Sequence, residues 1–424
     1  MSDFDPTWLL LNLDTPTLVS TLLIALLLDV PRYTFAFLAI AVSDRFSRNH
    51  NRQRGRKPAQ PLVTVILAGH NESAAVARCV RSLREQSYRR IEIVCVDDGS
   101  SDGMKRELRR LRGNDQIDAA FTTRLRCGQS SAVNLGFSAA RGEIILVTDC
   151  DCTFDHDAIA HMVAAFDHPR VGAVAGNVGI RNTGCSMLAA LQAVEYLMCI
   201  SIGKRIMETF GQVTCVSGAF GAFRRRAFIE VGGFDSGAGE DLDITLRLRR
   251  AGWQIRFADQ AWCLTDAPES LARFVRQRLR WERDALRLRL RKHRQTINPA
   301  SRSLRTSELF HQFEFVLGHV GLTFAFPLYV GWLVFTFGGG AVSILVLVTV
   351  FYMLLDAIAV ICALASSDRP DAWRLLPYVI IYGPFQTYLV RSVRLYAYVQ
   401  ELVFRRSYHD NYVPARVLAE VPRY

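Results

Sequence analysis

Two carboxylates in the middle of the chain have a spacing that suits a divalent cation. Asp149 and Asp151 follow the apolar run Glu143–Thr148. Residues two apart at the end of a strand project to the same side, so both carboxylates face one way and Cys150 faces the other. Carboxylates this close repel each other, which proteins relieve with a proton or a metal. Oxygen ligands favour Mg²⁺ or Mn²⁺, whereas a D-x-D pair standing alone is more often a solvated acidic turn.

Two more polar clusters follow apolar runs of the same kind. They are Asn71-Glu72 after Leu62–Gly69, and Asp97-Asp98 after Ile91–Val96. These runs are short, β-branched and nearly all apolar, which is typical of strands buried on both faces. The segments Ser73–Gln86 and Ser130–Arg141 place apolar residues on one side of a helix, so the predicted order is β-α-β-α with a parallel sheet. Ligands of such sheets gather at the carboxyl ends of the strands, where all three acidic clusters lie.

Two further clusters downstream allow either a chemical or a structural interpretation. Glu240 and Asp241 could simply begin a helix, where acidic side chains favour the helix dipole. Gln277, Arg280 and Trp281 could be one turn of an amphipathic helix. Their order after the strand clusters and their position before an apolar segment favour the chemical interpretation.

The distribution of apolar residues predicts a soluble domain between membrane segments. The 424 residues carry a formal net charge of +11, and half of them are hydrophobic, which excludes a disordered or collagen-like chain. The mean hydropathy of +0.13 is high for a soluble protein with 21% charged residues. Apolar stretches long enough to cross a bilayer are Thr17–Val42, Phe310–Phe337, Val342–Ala365 and Leu375–Val399.

The charges that flank these stretches predict the orientation of the chain. A basic run between Arg45 and Lys57 follows the first stretch, and positive charge stays inside, so the next domain is expected in the cytoplasm. The basic C-terminal tail also favours the inside, so one stretch is expected not to cross. Leu375–Val399 is the best candidate because Pro377 and Pro384 break it. We expect a multi-pass protein of a bacterial-type inner (plasma) membrane.

These patterns divide the chain into six parts. They are an N-terminal transmembrane anchor (1–43), a basic cytoplasmic linker (44–60), a soluble domain (61–268), an amphipathic interfacial helix region (269–307), transmembrane or membrane-associated helices (308–404) and a basic tail (405–424). The ten cysteines lack C-x-x-C spacing and lie mostly in apolar runs, which predicts a reducing compartment without a disulfide framework or zinc site.

The clusters in this order, flanked by membrane segments, resemble a membrane-embedded family 2 glycosyltransferase. The resemblance covers nearly the whole chain and is to synthases of hyaluronan, chitin, cellulose and poly-N-acetylglucosamine, with the layout closest to the last and to chitooligosaccharide synthase. It implies an α/β fold of the GT-A type, with a mostly parallel nucleotide-sugar-binding sheet between N-terminal and C-terminal transmembrane helices.

The resemblance implies a donor site for a UDP-sugar. Asp98, helped by Asp97, would recognise the uracil, and Asn71 with Glu72 would border the nucleotide. Asp149 would belong both to this site and to the metal motif. UDP-N-acetylglucosamine is the first expectation for the donor and UDP-glucose the second.

The resemblance also implies the catalytic and acceptor residues. Asp241, next to Glu240, would be the general base that activates the attacking hydroxyl. Gln277 and Arg280 would hold the diphosphate, and Trp281 would stack beneath the acceptor sugar, since an indole offers a flat apolar face. The product would be inverted, from an α-linked donor to a β-linked glycan.

Two further features complete the expected site. Asp149 and Asp151 would bind Mg²⁺ or Mn²⁺ on the diphosphate. The run 215–225, which contains Gly218 and Ala219, resembles an acceptor-side strand whose small residues leave room for a sugar, although glycine in a strand also marks a bulge.

One position departs from the pattern, because Gln129 stands where many relatives have Lys, so Arg124 or Arg126 would have to supply the charge.

The region before the C-terminal stretches has an amphipathic pattern. Ser270–Arg294 predicts a helix with Leu, Phe and Trp opposite Arg, either as a solvated charged face or as a helix lying on the inner leaflet. His311, Glu314 and His319 follow within an apolar run, where they could line a glycan path or pair with Arg391 or Arg394.

The first hypothesis for function is a processive synthase that extends a β-linked polysaccharide and exports it through its own membrane segments. A second hypothesis keeps the same reaction but transfers one sugar to a lipid acceptor such as ceramide or polyprenyl phosphate. A non-catalytic transporter or nucleic-acid tether would explain only the positive charge. Expected partners are the UDP-sugar, the glycan acceptor and the bilayer, without nucleic acid, and an accessory export or regulatory subunit is left open.

Overall fold

A mixed sheet of eight strands forms the centre of the part of the protein that the computed structural model describes, namely residues 60–296, 312, 314–409, 414–420 and 422–423. The strands are β1 Val63–Gly69, β2 Ile91–Asp97, β3 Ala119–Thr122, β4 Ile144–Thr148, β5 Thr153–Phe154, β6 Val171–Ile180, β7 Phe220–Arg224 and β8 Gln254–Thr265. The predicted anchor Thr17–Val42 and residues 44–59 of the predicted linker lie outside the described residues.

Helices cover both faces of the sheet and continue beyond it. Those of the sheet domain are α1 Ser73–Arg84, α2 Met104–Gly113, α3 Gln129–Ala139, α4 Ala158–Ala164, α5 Met187–Tyr196, α6 Gly203–Thr209, α7 Arg225–Glu230 and α8 Glu240–Arg250. Those that follow are α9 Leu271–Arg287, α10 Leu322–Phe337, α11 Gly340–Ala365, α12 Val379–Pro384, α13 Arg391–Phe404 and α14 Ala415–Glu420. Short π-helical segments continue α5 at Leu197–Ile202 and α9 at Leu288–Lys292.

The strand order is β3-β2-β1-β4-β7-β6-β8-β5, and the first four strands are parallel. This confirms the predicted β-α-β-α order and the mostly parallel sheet. The register brings the strand ends together, because Gly69 lies opposite Asp97 and Leu67 lies opposite Thr148. The loops that follow β1, β2 and β4 therefore leave the sheet at one edge.

Strand residues alternate between two apolar cores. Val65 and Leu67 of β1 pack into the core under α1, and Ile66 packs on the opposite face under α3. Burying each such side chain contributes roughly 1.5–3 kcal/mol. Gly136 lets α3 lie directly on the sheet, since a Cβ at this position would come within 2.7 Å of the Ile66 side chain.

The C-terminal part contains long apolar helices. By length and composition, three helices among the described residues could cross a membrane: Met187–Thr209, Phe315–Phe337 and Gly340–Ala365. The last two coincide with predicted segments, while Leu375–Val399 is divided among a 3-10 turn, α12, a π segment and α13, with Pro377 and Pro384 inside.

The first of these helices was not expected from the sequence. Its most apolar window is 61% buried inside the protein, against 17% and 33% for the other two. Leu191 and Val194 pack in one cluster with Val360 and Leu364 of α11. This helix is therefore an inner layer that joins the sheet domain to the C-terminal helices.

The predicted amphipathic helix forms as α9 and its π-helical extension, but its arginine face differs from both expectations. Arg278, Arg287 and Arg289 are each at most 9% exposed. Ion pairs offset the desolvation cost of burying these guanidinium groups, because Arg278 binds Glu195 and Arg287 lies 3.4 Å from Asp284. The arginines thus face partly into the protein rather than only into solvent or the surface of a bilayer.

Helix α8 is anchored to the chain after α9 through one buried carboxylate. Asp243 accepts hydrogen bonds from Arg247 at 2.8 Å, Lys292 at 2.7 Å and His293 at 2.8 Å. Burial acts to raise the pKa of Asp243, but these hydrogen bonds and positive charges outweigh it and hold the pKa well below its usual range.

We predict that Asp243→Asn lowers the free energy of unfolding by about 3 kcal/mol at pH 7, since three buried donors lose a charged acceptor. A lowered native pKa stabilises the fold above the unfolded-state pKa of about 3.9, and this contribution disappears as the pH falls towards the native value. The difference between the thermal midpoints of wild type and variant should therefore be largest at pH 7 and shrink below about pH 5.

The matched control is Glu107→Gln, which removes an exposed ion pair with Arg110. That change should cost less than about 1 kcal/mol. A midpoint difference for Asp243→Asn that is the same at pH 7 and at about pH 2 would contradict the prediction.

Candidate functional site

Carboxylates from separate loops share one electrostatic environment at the carboxyl edge of the sheet. Glu72 follows β1 and is half-buried, and its pKa is raised by burial and by the charges of Asp151 and Asp102. Burial, together with Asp151, Asp241 and Glu72, raises the pKa of Asp149 to about 7, against the hydrogen bond from Gln129. The sequence clusters after β1 and β4 and at the start of α8 are therefore brought together.

Asp149 and Asp151 are held by polar neighbours on either side. The Gln129 side-chain amide donates to Asp149 Oδ1 at 2.9 Å, and Thr265 Oγ1 donates to Asp151 Oδ2 at 3.1 Å. Arg181 donates to the backbone carbonyl of Asp151 at 3.0 Å. Gln129 thus contacts the acidic pair directly, although as a neutral amide it cannot neutralise it.

This arrangement fits a divalent cation that shares its ligands with a phosphorylated substrate. Among the described residues, no group of three or more His, Cys, Asp and Glu side chains surrounds a common point. Mg²⁺ is commonly bound through one or two carboxylates and substrate phosphates rather than a complete protein cage. The partly buried Asp149, crowded by Asp151, is a carboxylate whose ionised form a cation would stabilise.

The loop after β2 is built around two aspartates. Asp98 accepts hydrogen bonds from the backbone N–H of Cys127 at 2.6 Å and of Gly128 at 2.8 Å. Asp97 Oδ1 accepts from Ser100 N at 2.9 Å, and Asp97 Oδ2 is buried without a hydrogen-bond partner in the described part of the chain. Asp98 therefore fixes the loop before α3, and one acceptor oxygen of Asp97 is left without a partner among the described residues.

Asn71 joins this loop to the end of β1. Its backbone N–H donates to Ser100 Oγ at 2.8 Å, and its Oδ1 accepts from Ser101 N at 2.8 Å. Asn71 has a φ of 62°, a left-handed conformation that asparagine tolerates better than most residues. These hydrogen bonds join the loops after β1 and β2 into one continuous surface, which we call the rim between β1 and β2.

The Glu240-Asp241 cluster begins α8, as the helix-start interpretation predicted. Asp241 Oδ2 accepts from Gly218 N at 3.3 Å, and Asp241 Oδ1 accepts from Leu242 N at 2.7 Å. Burial and the charge of Asp241 raise the pKa of Glu240 well above its usual range, with Arg280 acting in the opposite direction. The helix start and the acidic site are therefore the same place, and the two interpretations do not exclude each other.

Gly239 permits this helix start. It has a φ of +75°, and a Cβ there would lie 2.8 Å from Leu288 and 3.2 Å from the side chain of Asp284. The absence of a side chain lets the chain turn into α8 while packing against the end of α9.

Helix α9 carries the remaining predicted residues, Gln277, Arg280 and Trp281. The charge of Arg280 acts on Glu240, so Arg280 lies close to the start of α8. Gln277 Oε1 is buried without a hydrogen-bond partner in the described part of the chain. Trp281 is 37% exposed, an unusual state for a large apolar ring beside a charged site.

The expected strand over 215–225 is shorter in the structure. Strand β7 begins at Phe220, and Gly218 and Ala219 form a turn before it. Two hydrogen bonds hold this turn. Gly218 N donates to Asp241, and the Ala219 carbonyl accepts from Thr148 Oγ1 at 2.7 Å. The small residues thus lie next to the Glu240-Asp241 cluster rather than within a regular strand.

Several residues of the site were not found by sequence reasoning. Thr265 and Arg181 support Asp151, and the buried Lys204 donates to Ser217 Oγ at 2.6 Å next to the Gly218 turn. None of them belongs to a local motif, so only the long-range packing of β6, β8 and α6 reveals them. Arg394, one of the two arginines suggested as partners for the ionisable residues at 311–319, binds Glu282 at 2.9 Å. His311 lies outside the described residues.

Comparison with known proteins agrees with this geometry. Residues 64–232 match the family model "Glycosyl transferase family 2". The match runs from β1 to the turn after α7 and so covers most of the sheet domain. A solved mannosyltransferase from Pyrobaculum calidifontis, in complex with GDP-Man and Mn²⁺, superposes on 91% of this chain and 99% of its own, with a TM-score of 0.59 and 18% identity. That likeness shows the GT-A fold.

Curated proteins similar to this chain are named as synthases of a polysaccharide. The poly-beta-1,6-N-acetyl-D-glucosamine synthase of Staphylococcus aureus is 32% identical over 221 residues, which are 52% of this chain and 53% of that protein. The enzyme of the same name from Staphylococcus epidermidis is 31% identical over 245 residues, 57% and 59% of the two chains. The chain thus matches somewhat more than half the length of these relatives.

We predict that Asp98→Asn loosens the loop at Cys127 and Gly128, because an amide nitrogen would face one of the two backbone donors. A buried donor left unsatisfied costs about 1–3 kcal/mol, so amide hydrogen exchange at these two positions should accelerate roughly tenfold or more. The control, Asp118→Asn, changes a carboxylate that accepts from Ile93 N elsewhere in the sheet and should leave this loop unaffected. Unchanged exchange at 127–128 in Asp98→Asn would contradict the prediction.

Proposed function

We propose that the protein is an inverting membrane glycosyltransferase that moves a sugar from a UDP-sugar to a growing β-linked polysaccharide. The observation that carries this proposal is the meeting of the Asp149-Asp151 pair, the Glu240-Asp241 helix start and Arg280 in one electrostatic environment. UDP-N-acetylglucosamine is the favoured donor, in agreement with the printed names of the curated relatives, and UDP-glucose is the second candidate.

The rim between β1 and β2 is the proposed nucleotide site. The free acceptor oxygen of Asp97 suits a uracil N–H, and Asp98 has further lone pairs besides the two that hold the loop. Asn71 and Glu72 border the same rim. A base would therefore be recognised by carboxylate acceptors at a position fixed by backbone hydrogen bonds.

Asp149 and Asp151 are the proposed ligands of Mg²⁺ or Mn²⁺. When bound, the cation would stabilise the negative charge that the diphosphate gains as the anomeric C–O bond breaks. Arg280 adds a fixed positive charge near the same edge, and the buried Gln277 supplies a polar group on the same helix face. Both residues are the proposed diphosphate contacts.

Asp241 is the proposed general base. It takes the proton of the acceptor hydroxyl as that oxygen attacks the anomeric carbon, and the bond to UDP breaks on the opposite face. A hydrogen bond from Gly218 N orients its carboxylate. Glu240, whose raised pKa favours the protonated form, limits the repulsion beside Asp241.

The proposed acceptor site lies between Trp281 and the Gly218-Ala219 turn. The exposed indole offers a surface for a pyranose ring, and the small residues of the turn leave room next to Asp241. A processive enzyme has to bind the end of the polymer again after each addition. An aromatic ring beside the base would hold that end. We therefore favour a processive enzyme over one that adds a single sugar to a lipid.

The apolar helices support a membrane location. Phe315–Phe337 and Gly340–Ala365 are long enough to cross a bilayer, and they follow α9 in the chain. We propose a multi-pass protein of the bacterial inner membrane with its catalytic domain in the cytoplasm and export of the glycan through its own helices. The glycan and the bilayer are its proposed partners besides the donor.

We predict that membranes containing the protein convert labelled UDP-N-acetylglucosamine into a polymer that a β-N-acetylglucosaminidase of matching linkage degrades. Asp241→Asn should lower the rate by about a hundredfold or more, since general-base catalysis contributes typically 10²–10⁴-fold. Asp235→Asn, a carboxylate change in the loop before α8, is the matched control and should retain activity. A single labelled glycolipid would favour the lipid-acceptor alternative, and full activity of Asp241→Asn would exclude the proposed base.

We also predict that EDTA abolishes transfer and that Mg²⁺ or Mn²⁺ restores it, because the acidic pair cannot accept a diphosphate without a cation. Asp151→Asn should raise the metal concentration needed for half-maximal rate at least about tenfold, while Asp235→Asn should keep the wild-type requirement. Activity that persists in the chelator would remove Asp149 and Asp151 from this role.

A further inference from the structure

One arginine of α9 lies between two aromatic rings. The guanidinium of Arg278 is 5.2 Å from the ring centroid of Phe274 and 4.8 Å from that of Trp281. Phe274, Arg278 and Trp281 are spaced by four and three positions, so they form one row along the helix. The guanidinium is therefore stacked against the indole that the proposed function places under the acceptor sugar.

A carboxylate from another helix fixes this arginine. Arg278 Nη1 donates to Glu195 Oε1 at 2.9 Å, and Arg278 Nη2 donates to Glu195 Oε2 at 2.5 Å. The two side chains are 11% and 7% exposed. A two-point pair between planar groups sets the orientation of the guanidinium as well as its position.

The pair is difficult to explain by stability alone. Burying two opposite charges costs desolvation that their attraction barely repays, and apolar residues of similar volume often give an equal or greater stability. Glu195 belongs to α5, the inner helix that also packs against the C-terminal helices. The pair thus connects the indole to this inner helix.

The next residue has a separate attachment. Glu282 accepts hydrogen bonds from Arg394 at 2.9 Å and from Tyr398 OH at 2.9 Å, which ties this turn of α9 to α13. The backbone at Trp281 is therefore held from one side by α13. The ring of Trp281 itself contacts the guanidinium of Arg278.

We propose that the Glu195–Arg278 ion pair is a positioning device that sets the plane of the Trp281 indole and thereby the alignment of the acceptor sugar with Asp241. This inference rests on the proposed function, because it assumes that Trp281 contacts the acceptor. Arg278 covers one face of the ring, and the 37% exposed remainder is available to a sugar. An indole free to rotate would lose this alignment, so the activated donor would react with water more often than with the glycan.

The test compares transfer with hydrolysis in the purified full-length protein. Glu195→Gln keeps the shape of the side chain but removes its charge. We expect the ratio of transferred to hydrolysed N-acetylglucosamine to fall about fivefold, with shorter products, while the KM for UDP-N-acetylglucosamine changes less than about twofold. A residue with only a structural role would lower the amount of active protein without changing this ratio.

The matched control removes another buried ion pair that does not touch Trp281. Glu401, on α13, accepts from Arg291 Nη1 at 2.5 Å, and its side chain is fully buried. Glu401→Gln should lower the thermal midpoint but leave the ratio of transfer to hydrolysis unchanged. A similar change of the ratio in both variants would contradict a specific effect of Glu195.

Two further variants separate failure of the inference from failure of the proposed function. Trp281→Ala should itself lower the ratio, and Glu195→Gln should add little in that background. An unchanged ratio in Trp281→Ala would refute the acceptor role of Trp281, whereas a change in Trp281→Ala without one in Glu195→Gln would refute only the positioning role.

Arg278→Lys tests the same idea without removing a charge. It keeps a positive partner for Glu195 but loses the planar, two-point contact. We expect a thermal midpoint close to that of wild type together with a lowered ratio. A wild-type ratio in Arg278→Lys would show that the stacked guanidinium does not position the indole.

Discussion

The accumulation of negative charge at one edge of the sheet is the constraint on which the rest of the site depends. Glu72, Asp149, Asp151, Glu240 and Asp241 come from separate loops, and their mutual repulsion together with burial raises the pKa of Asp149 to about 7. A protein keeps such an arrangement only if something compensates it. Here the compensation combines hydrogen bonds from Gln129 and Thr265, the charge of Arg280 and a proposed divalent cation on the donor.

Helix α9 connects this edge to the C-terminal helices through buried charges. Ion pairs of Arg278 with Glu195, of Glu282 with Arg394 and of Arg291 with Glu401 join α9 and its extension to α5 and α13. Such pairs add little net stability, but they define geometry because each has few low-energy arrangements. The structure thus links the exposed Trp281 and the apolar helices by directional contacts, as transfer into a membrane path would require.

The sequence predicted the parallel strands well, because their pattern is local. Continuous β-branched runs such as LVTVILAG and IEIVCV have few alternatives, and the acidic residues that follow them had to lie at the sheet edge. The sequence did not predict local structure correctly where contacts between distant segments of the chain determine it. The run 215–225 contains a turn at Gly218, where the backbone N–H donates to Asp241. Met187–Thr209 is an inner helix because helices that follow it in the chain cover it.

The sequence by itself determined the strands β1, β2 and β4, the helices α1 and α3 beside them, the identity of the clustered acids and the Gln277-Arg280-Trp281 turn, since periodicity and residue type are read directly along the chain. The tertiary structure alone decided which buried groups pair: Arg278 with Glu195, Asp243 with His293, and Gln129 with Asp149. Nothing in a local pattern specifies such pairs, because a charged side chain in a helix can face solvent at little cost. Only the packing of helices distant in the chain encloses it and forces it to find a partner.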